Sequence, residues 1–177
     1  SQDQVLAAFG GFNHIVFSQS GDISVTPVTL SADRLQELSS HLMLFYTGIE
    51  RTASEIAASY VTSVKGKLPQ LGIMKDLVDE GISILNHGRD LAAFGALLHE
   101  AWEAKRGLSP EVSNAYVDEL YSQALAKGAL GGKLLGAGGG GFMLLFVPPS
   151  QQEKVRAGLK NLINVPFRFE FSGSQII

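Results

Sequence analysis

Short apolar runs bounded by turn-forming residues predict β-strands near both ends of the chain. The runs are residues 13–17, 23–30, 42–48, 142–147 and 165–171. A polar stretch containing Gly21 separates the first two runs, which predicts a β-hairpin. Pro27 cannot donate a ladder hydrogen bond, so the second strand is predicted to lie at an edge. Phenylalanines alternate with Arg168 and Glu170 in the last run, which predicts one solvated face.

Apolar residues at helical spacing predict helices in the middle of the chain. A short helix is predicted after the N-cap Ser31, and a last helix after a capping box formed by Ser150 and Glu153. Four longer helices are predicted between these two. The first runs from Thr52 and Glu55 to Gly66, and the second follows an apolar stripe over 73–85 and ends at Gly88. The third runs from Asp90 to Gly107, and the fourth from Ser109 and Pro110 to Gly128. Strands and helices together predict one α+β domain, an antiparallel sheet backed by helices.

The composition is typical of a globular protein and argues against several classes of function. The chain has 177 residues, of which 45% are hydrophobic and 18% charged, enough for one domain with a core. A net charge of −3 offers no basic surface of the kind that binds nucleic acids. The chain has no cysteine, and its four histidines show no ligand spacing, so no metal site is predicted. The longest apolar run, 142–147, is too short to cross a membrane, and we expect a cytoplasmic protein.

A glycine-rich run, residues 136–141, lies between two apolar segments. Five of its six residues are glycine, although glycine loses more backbone freedom on folding than any other residue. The spacing fits G-x-G-x-x-G, but a strand follows the run where a dinucleotide-binding motif requires a helix. Phe142 and Met143 stand where a P-loop requires Lys and Ser or Thr. Two interpretations stay open: a tight turn or bulge before a buried strand, or a loop whose bare amides bind an anion.

The longer segment GALGGKLLGAGGGGFMLLFVPP, residues 128–149, resembles the third signature motif of the GHMP kinases. This superfamily includes galactokinase, homoserine kinase, mevalonate kinase and phosphomevalonate kinase. The opening QDQVLAAFGGFNHIVF resembles the segment that carries the superfamily's active-site aspartate. Three further segments, LFYTGIERTASEI, LLHEAWEAKRGLS and FEFSGSQII, are most similar to the sugar-phosphate branch, the D-glycero-D-manno-heptose 7-phosphate kinases. The resemblance runs from end to end and implies the ferredoxin-like carboxy-terminal domain of such a kinase.

The resemblance also implies which residues form a phosphoryl-transfer site. Asp3 is expected to be the catalytic carboxylate, which accepts or orients the proton of the acceptor hydroxyl. The glycines expected near the phosphate of ATP are Gly136, Gly138, Gly139, Gly140 and Gly141. Lys133 adds charge near them or is simply solvated. Arg51, Lys105 and Arg106 are candidate ligands of a substrate phosphate, although cations at a helix end also complement its dipole.

The superfamily's first two motifs, including a Pro-x-x-x-Gly-Leu-Gly-Ser-Ser-Ala loop around the ATP phosphates, have no match in the chain. The resemblance therefore implies a carboxy-terminal part, in which residues 1–30 are strands of the preceding domain and residues 31–177 are the carboxy-terminal domain. ATP and Mg²⁺ are then held mainly by an amino-terminal kinase domain. The expected substrate is a sugar phosphate with an anomeric acceptor hydroxyl, and the isolated chain is expected to be inactive. An apolar patch bared by the absent domain is expected to favour a homodimer.

Two alternatives stay open at this point. The chain is a non-catalytic anion-binding or regulatory module, or it belongs to another sugar 1-kinase branch such as fucokinase.

Overall fold

The computed structural model describes residues 2–50 and 64–175. The helices in these ranges are α1 Gln2–Phe9, α2 Ala32–His41, α3 Leu68–Asn86, α4 Ala92–Arg106, α5 Ala115–Ala126 and α6 Gln152–Gly158. The strands are β1 Asn13–Phe17, β2 Ile23–Pro27, β3 Leu42–Tyr46, β4 Gly131–Leu134, β5 Phe142–Phe146 and β6 Ile163–Asn164. Short 3-10 turns at Val64–Lys67 and Pro149–Gln151 precede α3 and α6.

An antiparallel sheet with the strand order β4-β5-β3-β6 carries the packing. Strands β3 and β5 pair so that Phe45 lies opposite Met143. The predicted α+β class and antiparallel sheet are confirmed. Strands β1 and β2 form a separate two-stranded sheet with Ile15 opposite Val25, which confirms the predicted hairpin. β2 ends at Pro27, earlier than the predicted end at residue 30.

The sheet buries side chains on both faces, because helices cover each side. Alternation along β3 and β5 places Phe45 and Met143 on one face, in a cluster that includes Trp102 of α4 and Val117 of α5. Phe146 belongs to a second cluster, which Leu38, Ile84, Leu85, Leu91 and Leu98 complete. Helix α4 therefore contributes to both clusters and ties the two layers to the same sheet.

Helix α4 lies unusually close to β4, and two glycines make this approach possible. A Cβ atom added at Gly131 would lie 2.0 Å from the carbonyl oxygen of Gly95, and one added at Gly95 would lie 2.7 Å from the Phe146 ring. Strand β4 is not predicted from the sequence, because glycine disfavours strands. Here the missing side chains admit the helix backbone, and the glycine run follows directly from this tightly packed strand.

Most predicted elements are confirmed, including the Ser31 N-cap, whose hydroxyl accepts from the Arg34 amide. Asp90 acts at the start of α4 as predicted, because its carboxylate accepts the Ala92 amide at 2.9 Å. The predicted helix ends near Gly88 and Gly128 are also observed. The predicted helix that opens with Thr52 lies outside the described residues.

Three local predictions are wrong. Ser109 does not begin a helix: its hydroxyl accepts the Glu111 amide in a turn, and α5 begins after Asn114, whose side chain accepts the Val117 amide. Ser150 lies within a 3-10 turn, so it does not cap α6. Residues 165–171 do not form a strand, although their alternation of half-buried and exposed positions is observed up to residue 170. Phe169 packs against Phe12 at a ring-centroid distance of 4.6 Å.

The division of the chain into two domains at residue 30 stays a prediction. Residues before this point pack against the rest through Phe12 and Leu30.

The hairpin leaves three large apolar side chains, Val16, Phe17 and Ile23, about half exposed. None of the helices in the described ranges combines the length and apolar character that a membrane span requires.

Candidate functional site

The glycine run forms a loop between β4 and β5 that is fixed at its start by a lysine. The amide of Leu135 donates to the Phe142 carbonyl at 2.8 Å and closes the base of the loop. The ammonium of Lys105, on α4, donates to the carbonyl oxygen of Gly136 at 2.5 Å and lies 3.4 Å from that of Leu134. Only 8% of the Lys105 surface is exposed. Its position follows from the close packing of α4 on β4, which brings the last turn of the helix over the start of the loop.

The middle of the loop is held by the turn that precedes α5. The Gly139 amide donates to the Val112 carbonyl at 2.9 Å. The side-chain amide of Asn114 donates to the Gly139 carbonyl at 3.1 Å, while its oxygen caps α5. One asparagine therefore joins the start of a helix to the centre of the loop.

The end of the loop is held by the residues that follow β3. The hydroxyl and the amide of Thr47 both donate to the Gly141 carbonyl, at 2.8 and 2.9 Å. The Gly141 amide donates to the Ile49 carbonyl at 2.8 Å. The loop is thus fixed at three points, and it does not behave as a flexible linker.

Some amides of the loop remain available as donors. Within residues 2–50 and 64–175, no protein acceptor takes the amides of Gly136, Ala137, Gly138 and Gly140. Consecutive unpaired amides in a turn form a concavity that suits an anion. The amides of Gly139 and Gly141 hold the turn, and anion binding by the other amides stays a prediction.

A cavity of about 760 Å³ lies beside the loop. Its lining includes Asp3, Lys105, Lys133 and Gly136, together with apolar side chains of α3 and α4. Asp3 is exposed on the first turn of α1. Lys133 is half-buried at the third residue of β4. The structure therefore brings Asp3 and the start of the glycine loop to the same cavity.

Burial lowers the pKa of both lysines in this cavity. Burial lowers the pKa of Lys105 to about 8; the charge of Lys133 adds to the effect and Asp3 opposes it. Burial also lowers the pKa of Lys133, and Asp3 again opposes the shift. Two poorly solvated ammonium groups and one carboxylate in the same lining give the cavity an excess of positive charge, which favours an anion.

The other candidate substrate ligands are placed differently. Arg106 forms ion pairs with Glu103 at 2.9 Å and Asp118 at 3.0 Å, which raise its pKa against the effect of burial. Its guanidinium lines a separate cavity together with these two carboxylates. As a phosphate ligand it stays a prediction. Arg51 lies outside the described residues.

Sequence reasoning missed two residues that shape the site, Thr47 and Asn114. Asn114 was detectable from the sequence, because an Asn immediately before an apolar-periodic run is an N-cap signal. The Ser-Pro pair at 109–110 carries a competing signal for the start of the same helix. Thr47 gave no signal, since its partner Gly141 is distant in sequence. No cluster of three or more metal-ligating side chains occurs in the described part of the chain.

Comparison with known proteins places these features in a family context. Residues 73–164 match the family described as GHMP kinases C terminal. The chain is 32% identical over 165 residues to D-glycero-alpha-D-manno-heptose 7-phosphate kinase of Campylobacter jejuni, which covers 90% of this chain and 48% of that protein. It is 29% identical over 138 residues to the bifunctional fucokinase/GDP-fucose pyrophosphorylase of Arabidopsis thaliana, which covers 75% of this chain and 13% of that protein.

A solved structure gives the same fold. The crystal structure of a D-glycero-D-manno-heptose 1-phosphate kinase from Bacteriodes thetaiotaomicron superposes with a TM-score of 0.69 and 28% identity. The match covers 99% of this chain and 49% of that one. The chain thus spans about half the length of this structure and of the Campylobacter protein.

Proposed function

Because the chain belongs to the GHMP kinase family, whose carboxy-terminal part it matches, we propose that it is the carboxy-terminal domain of an ATP-dependent heptose 7-phosphate kinase. The phosphoryl acceptor in this proposal is a sugar hydroxyl, namely the anomeric one. The similarity to the Campylobacter kinase supports the substrate class, since it extends over 90% of the chain.

One observation carries the proposal: Asp3 and the start of the glycine loop line the same cavity. A kinase site needs a carboxylate near the acceptor hydroxyl and donors near the transferred phosphoryl group. Had the loop faced away from Asp3, no single ligand would meet both groups. The free amides of Gly136 and Ala137 and the neighbouring lysines supply the positive end of such a site.

In this proposal each residue of the site has a role that follows from its chemistry. Asp3 accepts the proton of the attacking hydroxyl, because an ionised carboxylate is acceptor-only. The amides of Gly136, Ala137 and Gly138 donate to phosphoryl oxygens, and the fixed loop avoids reorganisation at the moment of transfer. ATP, when bound, supplies the phosphoryl group. Lys105, Asn114 and Thr47 hold the loop in place.

The described residues do not supply a set of Mg²⁺ ligands, because no three candidate ligands form a cluster among them. In this proposal the Mg²⁺ ligands and the adenine pocket lie in a domain that corresponds to the part of the relatives not matched by this chain. An amino-terminal kinase domain is therefore the proposed partner, and the 177-residue chain is expected to be inactive alone.

The test uses the complete gene product with ATP, Mg²⁺ and D-glycero-D-manno-heptose 7-phosphate. Phosphorus NMR of the product is expected to show a second phosphate coupled to the anomeric proton. Asp3→Asn is expected to lower kcat by at least a hundredfold, since general base catalysis contributes about 10²–10⁴-fold. Asp76→Asn, at an exposed position of α3, is the control and leaves kcat unchanged. Turnover by the 177-residue chain alone contradicts the assignment of the ATP site.

Fucokinase activity is the second candidate, and the similarity to the Arabidopsis enzyme favours it. The same assay with L-fucose separates the two, because a fucokinase uses the free sugar. If neither sugar is phosphorylated but pyrophosphate binds, the chain is the anion-binding module of the alternative interpretation.

A further inference from the structure

The two lysines that line the cavity have different contacts, and we propose that Lys133 is a direct ligand of a phosphoryl group while Lys105 is a positioning residue for the glycine loop. This inference rests on the proposed function and assigns separate roles within that site. It differs from the sequence-based expectation, in which Lys105 is one of three candidate ligands of a substrate phosphate and Lys133 either adds charge near the glycines or is simply solvated.

Lys105 is committed to the protein backbone. Its ammonium donates to the Gly136 carbonyl and approaches that of Leu134, so two of its three donor directions are used. It also lies 6.0 Å from the centre of the Trp102 ring. Only one N–H of the ammonium is left for a ligand, so most of its donor capacity serves the start of the loop.

Lys133 has no such commitment. In the described ranges its ammonium makes no hydrogen bond or ion pair with a protein group. The strand fixes its backbone, because Lys133 pairs with Leu144 and its neighbour Leu134 is fully buried on the opposite face. Its side chain lines the cavity together with Asp3 and Gly136. The Lys133 side chain is half-buried, and a ligand in the cavity would supply the partner that its ammonium lacks among the described residues.

The charges around Lys133 favour a dianion. The other charged groups in the cavity lining are Asp3 of α1 and Lys105 of α4. Two cations and one carboxylate leave a net charge of about +1 there, with the unpaired amides of Gly136 and Ala137 adjacent. A phosphoryl group offers several acceptor oxygens, and so it can meet the ammonium and the amides at once. Phosphoryl groups of a nucleotide and of a sugar phosphate share this chemistry.

The experiment measures binding by the 177-residue chain and does not depend on turnover. Inorganic pyrophosphate is titrated in calorimetry and in ¹H–¹⁵N NMR, in which the amides of Gly136 and Ala137 are expected to shift. Lys133→Gln is expected to weaken binding about tenfold, the loss of one charge-assisted contact. Lys133→Arg is expected to retain binding, and Lys160→Gln, at an exposed lysine after α6, is the matched control.

Lys105→Gln gives a different signature. It is expected to shift the loop amides before any ligand is added, because the contact with the Gly136 carbonyl is lost. Lys133→Gln leaves those amides near their original positions in the absence of ligand. If both variants change the free spectrum equally, the separation of roles is refuted.

A second measurement needs no variant. Acetylation of the Lys133 amine by acetic anhydride, followed by peptide mass spectrometry, is expected to slow at least fivefold when pyrophosphate is present, with Lys160 unaffected. Competition by ADP identifies a nucleotide as the source of the phosphoryl group, and competition by mannose 6-phosphate identifies a sugar phosphate. Absence of saturable pyrophosphate binding, or wild-type binding by Lys133→Gln, overturns the inference. Loss of turnover in Asp3→Asn with normal turnover in Lys133→Gln leaves the kinase proposal intact and removes only this one.

Discussion

Replacing Gly138 with alanine tests whether the glycine loop is as rigid as its contacts indicate. Gly138 has a φ of +121°, which side chains other than glycine rarely adopt. A Cβ atom there would lie 2.6 Å from the carbonyl oxygen of Val112. That carbonyl accepts the Gly139 amide and belongs to a fully buried residue, so it has little room to move.

Two effects set the size of the loss. A non-glycine residue in such a conformation costs about 1–3 kcal/mol. Overlap with a packed neighbour adds about 1–3 kcal/mol. Gly138→Ala is therefore expected to lower the free energy of unfolding by about 2–6 kcal/mol.

Two further glycines make the test specific. Gly136 has a φ of +70° but open space around its Cβ position, so Gly136→Ala is expected to lose only about 1–2 kcal/mol. Gly72 lies within α3 in open space, so Gly72→Ala is expected to gain about 0.5–1 kcal/mol.

The assay is urea unfolding followed by circular dichroism, with the three variants compared at one pH. The order of stability is expected to be Gly72→Ala above wild type, then Gly136→Ala, then Gly138→Ala. If Gly138→Ala loses no more than Gly136→Ala, Val112 yields freely and the loop is not held as described.

Three further predictions follow from other contacts. Asn114→Ala is expected to lower the free energy of unfolding by about 1 kcal/mol more than Ser31→Ala. The reason is that Asn114 caps α5 and also bonds to Gly139, whereas Ser31 only caps α2. Equal losses in urea unfolding contradict this. Since Lys105 has a pKa of about 8 when folded and an ordinary value of 10.5 when unfolded, the unfolded chain binds more protons between these values. Stability is therefore expected to rise with pH from about 8 to 10.5, and Lys105→Met to flatten that rise. The half-exposed Val16, Phe17 and Ile23 are expected to support a homodimer at high concentration in light scattering, and a monomer at every concentration refutes this.

Local signals in the sequence predicted most of the elements of this fold. The hairpin, α2 with its Ser31 cap, and the ends of α3 and α5 follow from caps, turns and apolar spacing, all of which act within a few residues. The errors also have a local origin. Ser109 and Ser150 carry sequence signals that resemble caps, but the chain instead uses a turn and a 3-10 segment at these positions.

The glycine run and Asp3 were recognisable from the sequence, because the order of residue types in the motif does not depend on tertiary contacts. The residues that hold the glycine run in place were not recognisable from the sequence. Thr47 and Gly141 are 94 residues apart, and Lys105 and Gly136 are 31 residues apart. Such partners meet only after helix α4 has packed on β4 through Gly95 and Gly131.

The sequence by itself thus determined most of the elements, the α+β class and the candidate loop, since these depend on short-range spacing. Only the tertiary structure decided which lysine holds the loop and which one, among the described residues, has no hydrogen-bond partner beside Asp3. The physical reason is that an ammonium group bonds to whichever oxygen the packed backbone presents, and that choice is made by contacts between distant segments.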